Sequence, residues 1–416
     1  MKKLAKNWYL KKVWAKAQKI LDSDNPYIIA VTGSVGKTTT KDAIVHLLGG
    51  PSKNVRGSFG NMNTEYTIPL VIAGQKKVPR GLFDYLKAYL NLMLKSSGGP
   101  KGHTLVLEFA SEKKGDIAFL AEKIPLDVVV LTQFAVSHAG PTLQAIAQEK
   151  LDIIQGLRSD GVLVYNKDDE WQAKLKADKR AISYGEKQAV VTYSNVAQEQ
   201  YGSSFTVNYQ HKSRKVKTQL LGLHQISSLA AAMAVGLSRG KDLSSLVKRA
   251  GTFAAPAGRM KLIKGRKEML IIDDSYNSSP VAALEALKTL SSIAKKGQRK
   301  VAILGNMNEL GAQTVPAHLA LGKQAAEQKV DFLVAVGPNA KRIIRGARES
   351  GMEDQRLISF DSVESVISRL DGIVQAKDVI LVKASQGGMF FERIVKALMA
   401  NPQQANELLV RQDYKR

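Results

Sequence analysis

With 416 residues, 44% of them hydrophobic and 6% aromatic, the chain can form two or three domains with substantial cores and has the composition of a soluble α/β protein. It contains no cysteine, which excludes disulfides, thiolate metal sites and cysteine nucleophiles, and no apolar run approaches the roughly 20 residues of a membrane span. Sixty-one Lys and Arg against 37 Asp and Glu leave a net charge of +24, which suits anionic partners such as nucleotides, polyphosphates or an acidic lipid surface.

The basic surplus is spread along the chain without the aromatic-interleaved motifs of a single-strand RNA binder, so specific nucleic-acid binding is not expected. No signal-peptide core follows Met1, and a cytoplasmic location is the expectation. The first segment, 1–26, reads as a basic amphipathic helix. At about 100° per residue, Tyr9, Leu10, Val13, Trp14, Ala17, Ile20 and Leu21 fall on one side, and Lys11, Lys12, Lys16 and Lys19 on the other. Such a helix either docks on its own domain or lies on an anionic membrane, here at the inner face. "DSDNP" then breaks it.

Residues 27–252 form the predicted central domain. Its runs "YIIAV", "TLVLEF", "LDVVVLT" and "GVLVYN" are almost continuously apolar, as strands of a parallel sheet buried on both faces are. "SSLAAAMAVGLSRG" reads as a small-residue helix and "TFAAPAG" as a linker. A second alternating series, "MLIIDDSY", "KVAILGNM", "DFLVAVG", "RLISF" and "DVILVKAS", occupies 253–416. The predicted fold is a central P-loop ATPase-type parallel-sheet domain followed by a Rossmann-like C-terminal α/β domain.

Between the first central strand and its helix stands Gly33-Ser34-Val35-Gly36-Lys37-Thr38-Thr39. The glycines let backbone N–H groups approach phosphate oxygens, and the helix N-terminus adds its dipole. Lys37 can bridge the outer phosphates of a triphosphate, and the Thr38 hydroxyl can ligate Mg²⁺. The strict loop pattern has a further glycine where this chain has Val31.

Glu108 closes "TLVLEF" at the edge where ligands of parallel sheets gather, as a metal ligand or an ion-pair partner. His138 follows "VVVLTQFAVS" in the same topological position. Lys150 lies in "AIAQEKLDII", a helical pattern in which a lysine is ordinarily solvated. "IIDDSYNSSP" puts Asp273, Asp274, Tyr276 and Asn277 at another strand end, where carboxylates also serve as turn caps.

Taken in this order, from Tyr27 to Arg416, these pieces resemble the Mur ligase family, the ATP-dependent amide-forming enzymes of peptidoglycan precursor synthesis. "VTGSVGKTTT" is similar to the family's phosphate loop, which itself lacks the leading glycine. "LVLEFASEKKGDI" resembles the segment carrying the metal-binding glutamate, "LTQFAVSHAG" the one carrying the histidine, and "AQEKLDII" the one whose lysine is carbamylated. "GLHQISSLAAAMA" resembles the region that contacts the nucleotide base. "AGRMKLI", "IDDSYNSSPVAALEAL", "AILGNMNELG", "SFGNMNTEYTIPL" and the tail "ELLVRQ" are like the branch that adds D-alanyl-D-alanine.

The resemblance implies a set of roles. ATP would be held by Gly33, Ser34, Val35, Gly36, Lys37, Thr38 and Thr39, by His224 and Gln225, and by Arg259, Asp274, Tyr276 and Asn277 of the C-terminal domain. Thr38 and Glu108 would hold one Mg²⁺. His138 and Lys150, the latter as N6-carboxylysine, would position a second. Lys37, His138, Lys150 and Arg259 would carry catalysis, while Arg56, Asn61, Asn63, Thr64, Lys383 and Ser385 would meet the peptide substrates. The implied reaction joins D-Ala-D-Ala to a UDP-N-acetylmuramoyl tripeptide through an acyl phosphate, in a monomer whose second domain closes over the first. Two alternatives stay open: an amide ligase of the same chemistry on another acid (a polyglutamate, a cofactor or a lipid-linked precursor), and a nucleotide-binding partner protein with little catalysis.

Some features depart from the branch's pattern. A separate N-terminal domain usually grips the UDP, whereas here the loop opens at Gly33 with room ahead of it for one helix. UDP is therefore expected on another surface, with Lys53 and Arg56 as candidates. Gln225 and Ser228 stand where two asparagines are typical, "HAG" replaces His-Leu-Glu, and "VKASQGG" lacks the arginine often found there.

Overall fold

The computed structural model describes residues 2–79, 81–136, 142–176, 178 and 180–411. Two sheets organise them. The first contains β1 (Tyr27–Thr32), β2 (Val55–Gly57), β3 (Thr104–Glu108), β4 (Leu126–Leu131), β5 (Leu157–Asn166), β6 (Ile182–Gly185), β7 (Val191–Glu199), β8 (Gly202–Tyr209) and β9 (Lys212–Thr218). Their spatial order is β2-β3-β1-β4-β5-β6-β7-β8-β9. Pairing is parallel from β2 to β7 and antiparallel beyond.

The four apolar runs are β1, β3, β4 and β5. Their apolarity follows from cover on both faces, because successive residues of a strand point to opposite sides. Ile29 and Val31 share one core with α2 (Lys37–Leu48). Ile28 and Ala30 share the other with α1 (Lys2–Asp24) and α3 (Ile68–Ile72). The extension β7–β9 has no counterpart among those runs. Along β7 and β9 only alternate positions such as Val191, Tyr193 and Val216 are buried, between more exposed polar neighbours.

The remaining helices around this sheet are α4 (Gly81–Leu94), α5 (Asp116–Lys123), α6 (Leu143–Leu151), α7 (Leu223–Ser238) and α8 (Leu243–Ala250). α1 is docked. Val13, Trp14, Ala17, Ile20 and Leu21 are buried, Trp14 Nε1 donates to Glu65 O at 3.0 Å, and the Trp14 ring meets Phe119 edge-on. Its apolar face is thus covered by protein, which corrects the picture of that face resting on a membrane. An outer stripe with Trp8, Lys11, Lys12 and Lys19 is exposed. No described helix is long and apolar enough to cross a membrane.

A second correction concerns Arg56, expected to meet a diphosphate. Its guanidinium turns inward and donates to Val71 O (2.6 Å), which also accepts from Gly74 N (2.9 Å), and to Ile72 O (2.8 Å), a carbonyl at the end of α3 where a helix leaves such groups without intrahelical partners. Burial pulls its pKa below the ordinary value, against the pull of the Asp24 charge. Arg56→Ala is therefore expected to lower the thermal midpoint, since Val71 O keeps its bond from Gly74 N but Ile72 O loses the guanidinium, and a buried carbonyl left unpaired costs roughly 1–3 kcal/mol. Substrate KM should stay unchanged. A raised KM at an unchanged midpoint would restore the binding role.

The second sheet contains β10 (Lys261–Lys264), β11 (Leu270–Asp274), β12 (Lys300–Leu304), β13 (Phe332–Val336), β14 (Leu357–Phe360) and β15 (Val379–Lys383) in the order β10-β11-β15-β12-β13-β14. All pairs are parallel except β10 with β11. The last strand enters the middle of the sheet and sets Lys383 opposite Asp274.

Candidate active site

β1 runs on past the buried Val31 to Thr32, so the loop starts at Gly33. Gly33 has φ 145°, and a Cβ there would stand 2.1 Å from Thr132 Oγ1. Gly36, at φ 90°, caps α2, and its Cβ would meet Ser228 Oγ at 2.7 Å. Ser228 therefore packs against the loop itself, with its hydroxyl donating to His224 O. Lys37 Nζ donates to Gly33 O (2.8 Å) and Ser34 O (3.3 Å). Burial lowers the Lys37 pKa, the Glu108 charge opposes that, and the Arg259 charge adds to it.

Thr38 Oγ1 donates to Glu108 Oε2 at 2.8 Å, and Asn63 Nδ2 donates to Oε1 at 3.0 Å. A hydroxyl and a carboxylate at the loop suit Mg²⁺, a hard cation usually bound through one or two protein oxygens with phosphates and waters. The donor set fits the ion. Among the described residues no group of three or more His, Asp and Glu is placed to hold a metal. Asn63, expected to meet substrate, instead holds the Glu108 carboxylate. Thr64 bonds Thr67 through their hydroxyls, and Asn61 is exposed.

The loop faces a cleft between the two sheets. Ser34 to Thr39, Glu108, His224 and Gln225 line it from one side, and Arg259, Asp274, Asn277, Ser279 and Lys383 from the other. The N-terminal turns of α2, α7 and α9 (Pro280–Ile293) all contribute, so three helix dipoles present their positive ends to one space. His224 Nδ1 and Gln225 Oε1 are buried in its wall without a protein partner. Such orphans suit a ligand with donors and acceptors of its own.

On the far wall a turn is clamped from both sides. Asp273 accepts from Gly258 N (3.1 Å) and Ser275 N (3.2 Å), and Asp274 accepts from Met260 N (3.2 Å). Burial pushes the Asp273 carboxyl up to about 6. Between these clamps, Arg259 lies over the Tyr276 ring at 4.1 Å, and Gln225 Nε2 donates to Arg259 O at 2.7 Å. Lys383 Nζ donates to Asp274 Oδ2 (2.6 Å) and Asn277 O (2.9 Å) and is 2% exposed. It holds the wall in place, a correction to its expected contact with the peptide. Ser385 is likewise engaged with backbone, donating to Ser278 O and accepting from Ser278 N and Asn308 N.

Lys150 is buried in α6 and donates to Ser111 Oγ. Burial, with the Lys37 charge, lowers its pKa to about 7. His138 lies outside the described residues.

A family model described as the Mur ligase middle domain matches residues 31–236, and one described as Mur ligase, glutamate ligase domain, matches 258–386. The chain belongs to the Mur ligase family. Similar curated proteins include the UDP-N-acetylmuramoyl-tripeptide–D-alanyl-D-alanine ligase of Bacillus subtilis (strain 168), 28% identical over 388 residues, covering 90% of this chain and 76% of that protein. The protein of the same name from Escherichia coli (strain K12) is 27% identical over 311 residues, covering 73% and 66%. Among solved structures, MurF from Acinetobacter baumannii superposes with a TM-score of 0.76 at 23% identity, over 94% of this chain and 81% of that one. MurF ligase from Thermotoga maritima in complex with ADP gives 0.76 at 23%, over 96% and 84%. At this identity the superpositions establish a shared fold. The two Mur ligase matches divide between the two sheets, so both walls of the cleft come from Mur ligase units.

Proposed function

We propose that this Mur ligase joins D-alanyl-D-alanine to UDP-N-acetylmuramoyl tripeptide with ATP, as the names of its relatives suggest. The observation that carries the reading is one cleft in which Lys37, Thr38 and Glu108 face Arg259 beneath three helix N-termini. The peptide carboxylate attacks the γ-phosphorus and ADP leaves. The amine then attacks the acyl phosphate, a tetrahedral intermediate forms, and phosphate departs as the amide closes. Negative charge concentrates where the carboxylate meets the triphosphate, so fixed cations and dipoles there lower the barrier.

Lys37 would bind the outer phosphates and Arg259 would bring a second cation from the other sheet. His224 and Gln225 would hold the base, and Asn63 would keep Glu108 aimed at Thr38. Bound Mg²⁺ supplies charge neutralisation at the phosphates; Thr38 and Glu108 would hold one ion, and His138 with carbamylated Lys150 a second. The units that do this are proposed as 27–252 and 253–416, behind the helix of 1–26. A monomer at the cytoplasmic side of an anionic membrane, drawn there by the α1 lysine stripe, belongs to the same reading.

ADP formation should require the muramoyl tripeptide and D-Ala-D-Ala together. Turnover on a polyglutamate or cofactor acid, with none on the muramoyl peptide, would transfer the assignment to a ligase of other acids.

A further inference from the structure

α4 is a surface helix whose outer face is apolar. Leu82 is 88% exposed, Phe83 77%, Leu86 53%, Leu90 54% and Leu94 86%. At about 100° per residue these five fall within an arc of about 120°, one continuous stripe along the helix. The inner face is already used: Ala88 and Leu92 are buried, and Tyr85 and Tyr89 pack on Tyr9 of α1. Trp8, 54% exposed, lies against Tyr89 with ring centroids 5.7 Å apart and extends the apolar surface onto α1. A contiguous patch of this kind marks an interaction surface, unlike singly scattered leucines.

The charge around the patch identifies its partner. Lys76 and Lys77 precede α4, Lys87 lies within it about 20° from the edge of the apolar stripe, Lys95 follows it, and Lys11, Lys12 and Lys19 form the exposed stripe of α1; all seven are exposed. Apolar side chains with lysines at their margin match the boundary between acyl chains and anionic headgroups, where lysine stems lie along the apolar layer and the ammonium groups reach phosphates. A second copy of the chain fits less well, because a two-fold contact would bring two lysine stripes together.

We propose that α4, with the neighbouring stripe of α1, is a membrane-docking platform. Leu82, Phe83, Leu86, Leu90 and Leu94 enter the interface of an anionic bilayer, and the surrounding lysines meet its headgroups. This builds on the electrostatic membrane reading of α1 given above, adds the apolar anchor that α1 cannot supply, and does not depend on which amide is formed.

The full chain, floated with vesicles of equal phosphatidylcholine and phosphatidylglycerol, should rise with them, and far less with phosphatidylcholine alone. The double substitution Leu86→Ser and Leu90→Ser should cut partitioning about a hundredfold at an unchanged thermal midpoint, since both side chains are exposed. Trp8 emission should shift to the blue on binding, a shift missing from Trp8→Phe. If the wild type stays unbound, or the leucine variant floats equally well, the proposal fails. Loss of flotation in Lys11→Glu with Lys12→Glu but not in the leucine variant would leave the α1 reading standing alone. A wild-type dimer that the leucine substitutions split into monomers would assign the stripe to a second copy and overturn the membrane platform.

Discussion

Lys37→Ala is expected to lose ATP turnover by a factor of about 10²–10³, the usual cost of removing one electrostatic contact from a reacting centre. The change should not unfold the protein. Burial already disfavours the charged Lys37, and its hydrogen bonds go to the loop's own carbonyls, so no distant element depends on it. The thermal midpoint should hold or rise, because removing a buried charge relieves its desolvation. ADP release at fixed substrate and a melting curve on the same preparation check both halves. Near-normal turnover in the folded variant would remove the loop from the reaction.

Lys150→Ala is expected to be as damaging, on the order of 10²–10³ in rate if the side chain holds a metal as its carbamate. Carbamate formation needs the neutral amine. Burial, together with the Lys37 charge, brings its pKa from 10.5 to about 7, so the free base is plentiful near neutrality. At equal dissolved CO₂, enzyme depleted of it should regain activity readily at pH 8 and about tenfold more slowly at pH 6, in proportion to the neutral amine. Stability carries the matching sign. With the folded pKa depressed, the unfolded chain binds more protons between about 7 and 10.5, so this residue makes stability rise with pH across that window. A short carboxylic acid should partly restore Lys150→Ala, whereas full activity without one would dismiss the carbamate.

The inner parallel strands, β1, β3, β4 and β5 of the first sheet and β11, β12, β13 and β15 of the second, were legible because burial leaves a run of apolar residues that needs no partner to be seen. The phosphate loop was legible because its glycines and lysine act within seven consecutive residues, Gly33 to Thr39. β7–β9 carried only a period-two pattern, with Tyr193 and Phe205 the plainest inward positions. α4 escaped because its polar stripe is only three residues, Asp84, Lys87 and Asn91, and the rest of "GLFDYLKAYLNLML" is apolar, which leaves little contrast for a period to mark. The inward turn of Arg56 and the Lys383–Asp274 pair were illegible for another reason. Each depends on what the fold brings alongside, a helix end for one and a strand inserted from 109 residues away for the other. Local chemistry showed which residues could act, and topology decided which were already engaged.

The double clamp at the end of β11 has a mechanical corollary. With Asp273 fixing Gly258 and Asp274 fixing Met260, the main chain beneath Arg259 has little freedom of its own. The guanidinium is consequently a rider on the second sheet. A rotation of that sheet by a few degrees would carry the charge toward or away from the phosphate loop as a rigid lever, without any rotamer change. Gln225 is the latch of this lever, since its amide nitrogen reaches the Arg259 carbonyl while its oxygen is buried without a protein partner in the wall of the cleft. Whatever is seated against that oxygen and the position of the Arg259 cation would then be felt through the same side chain, which ties the timing of one to the other.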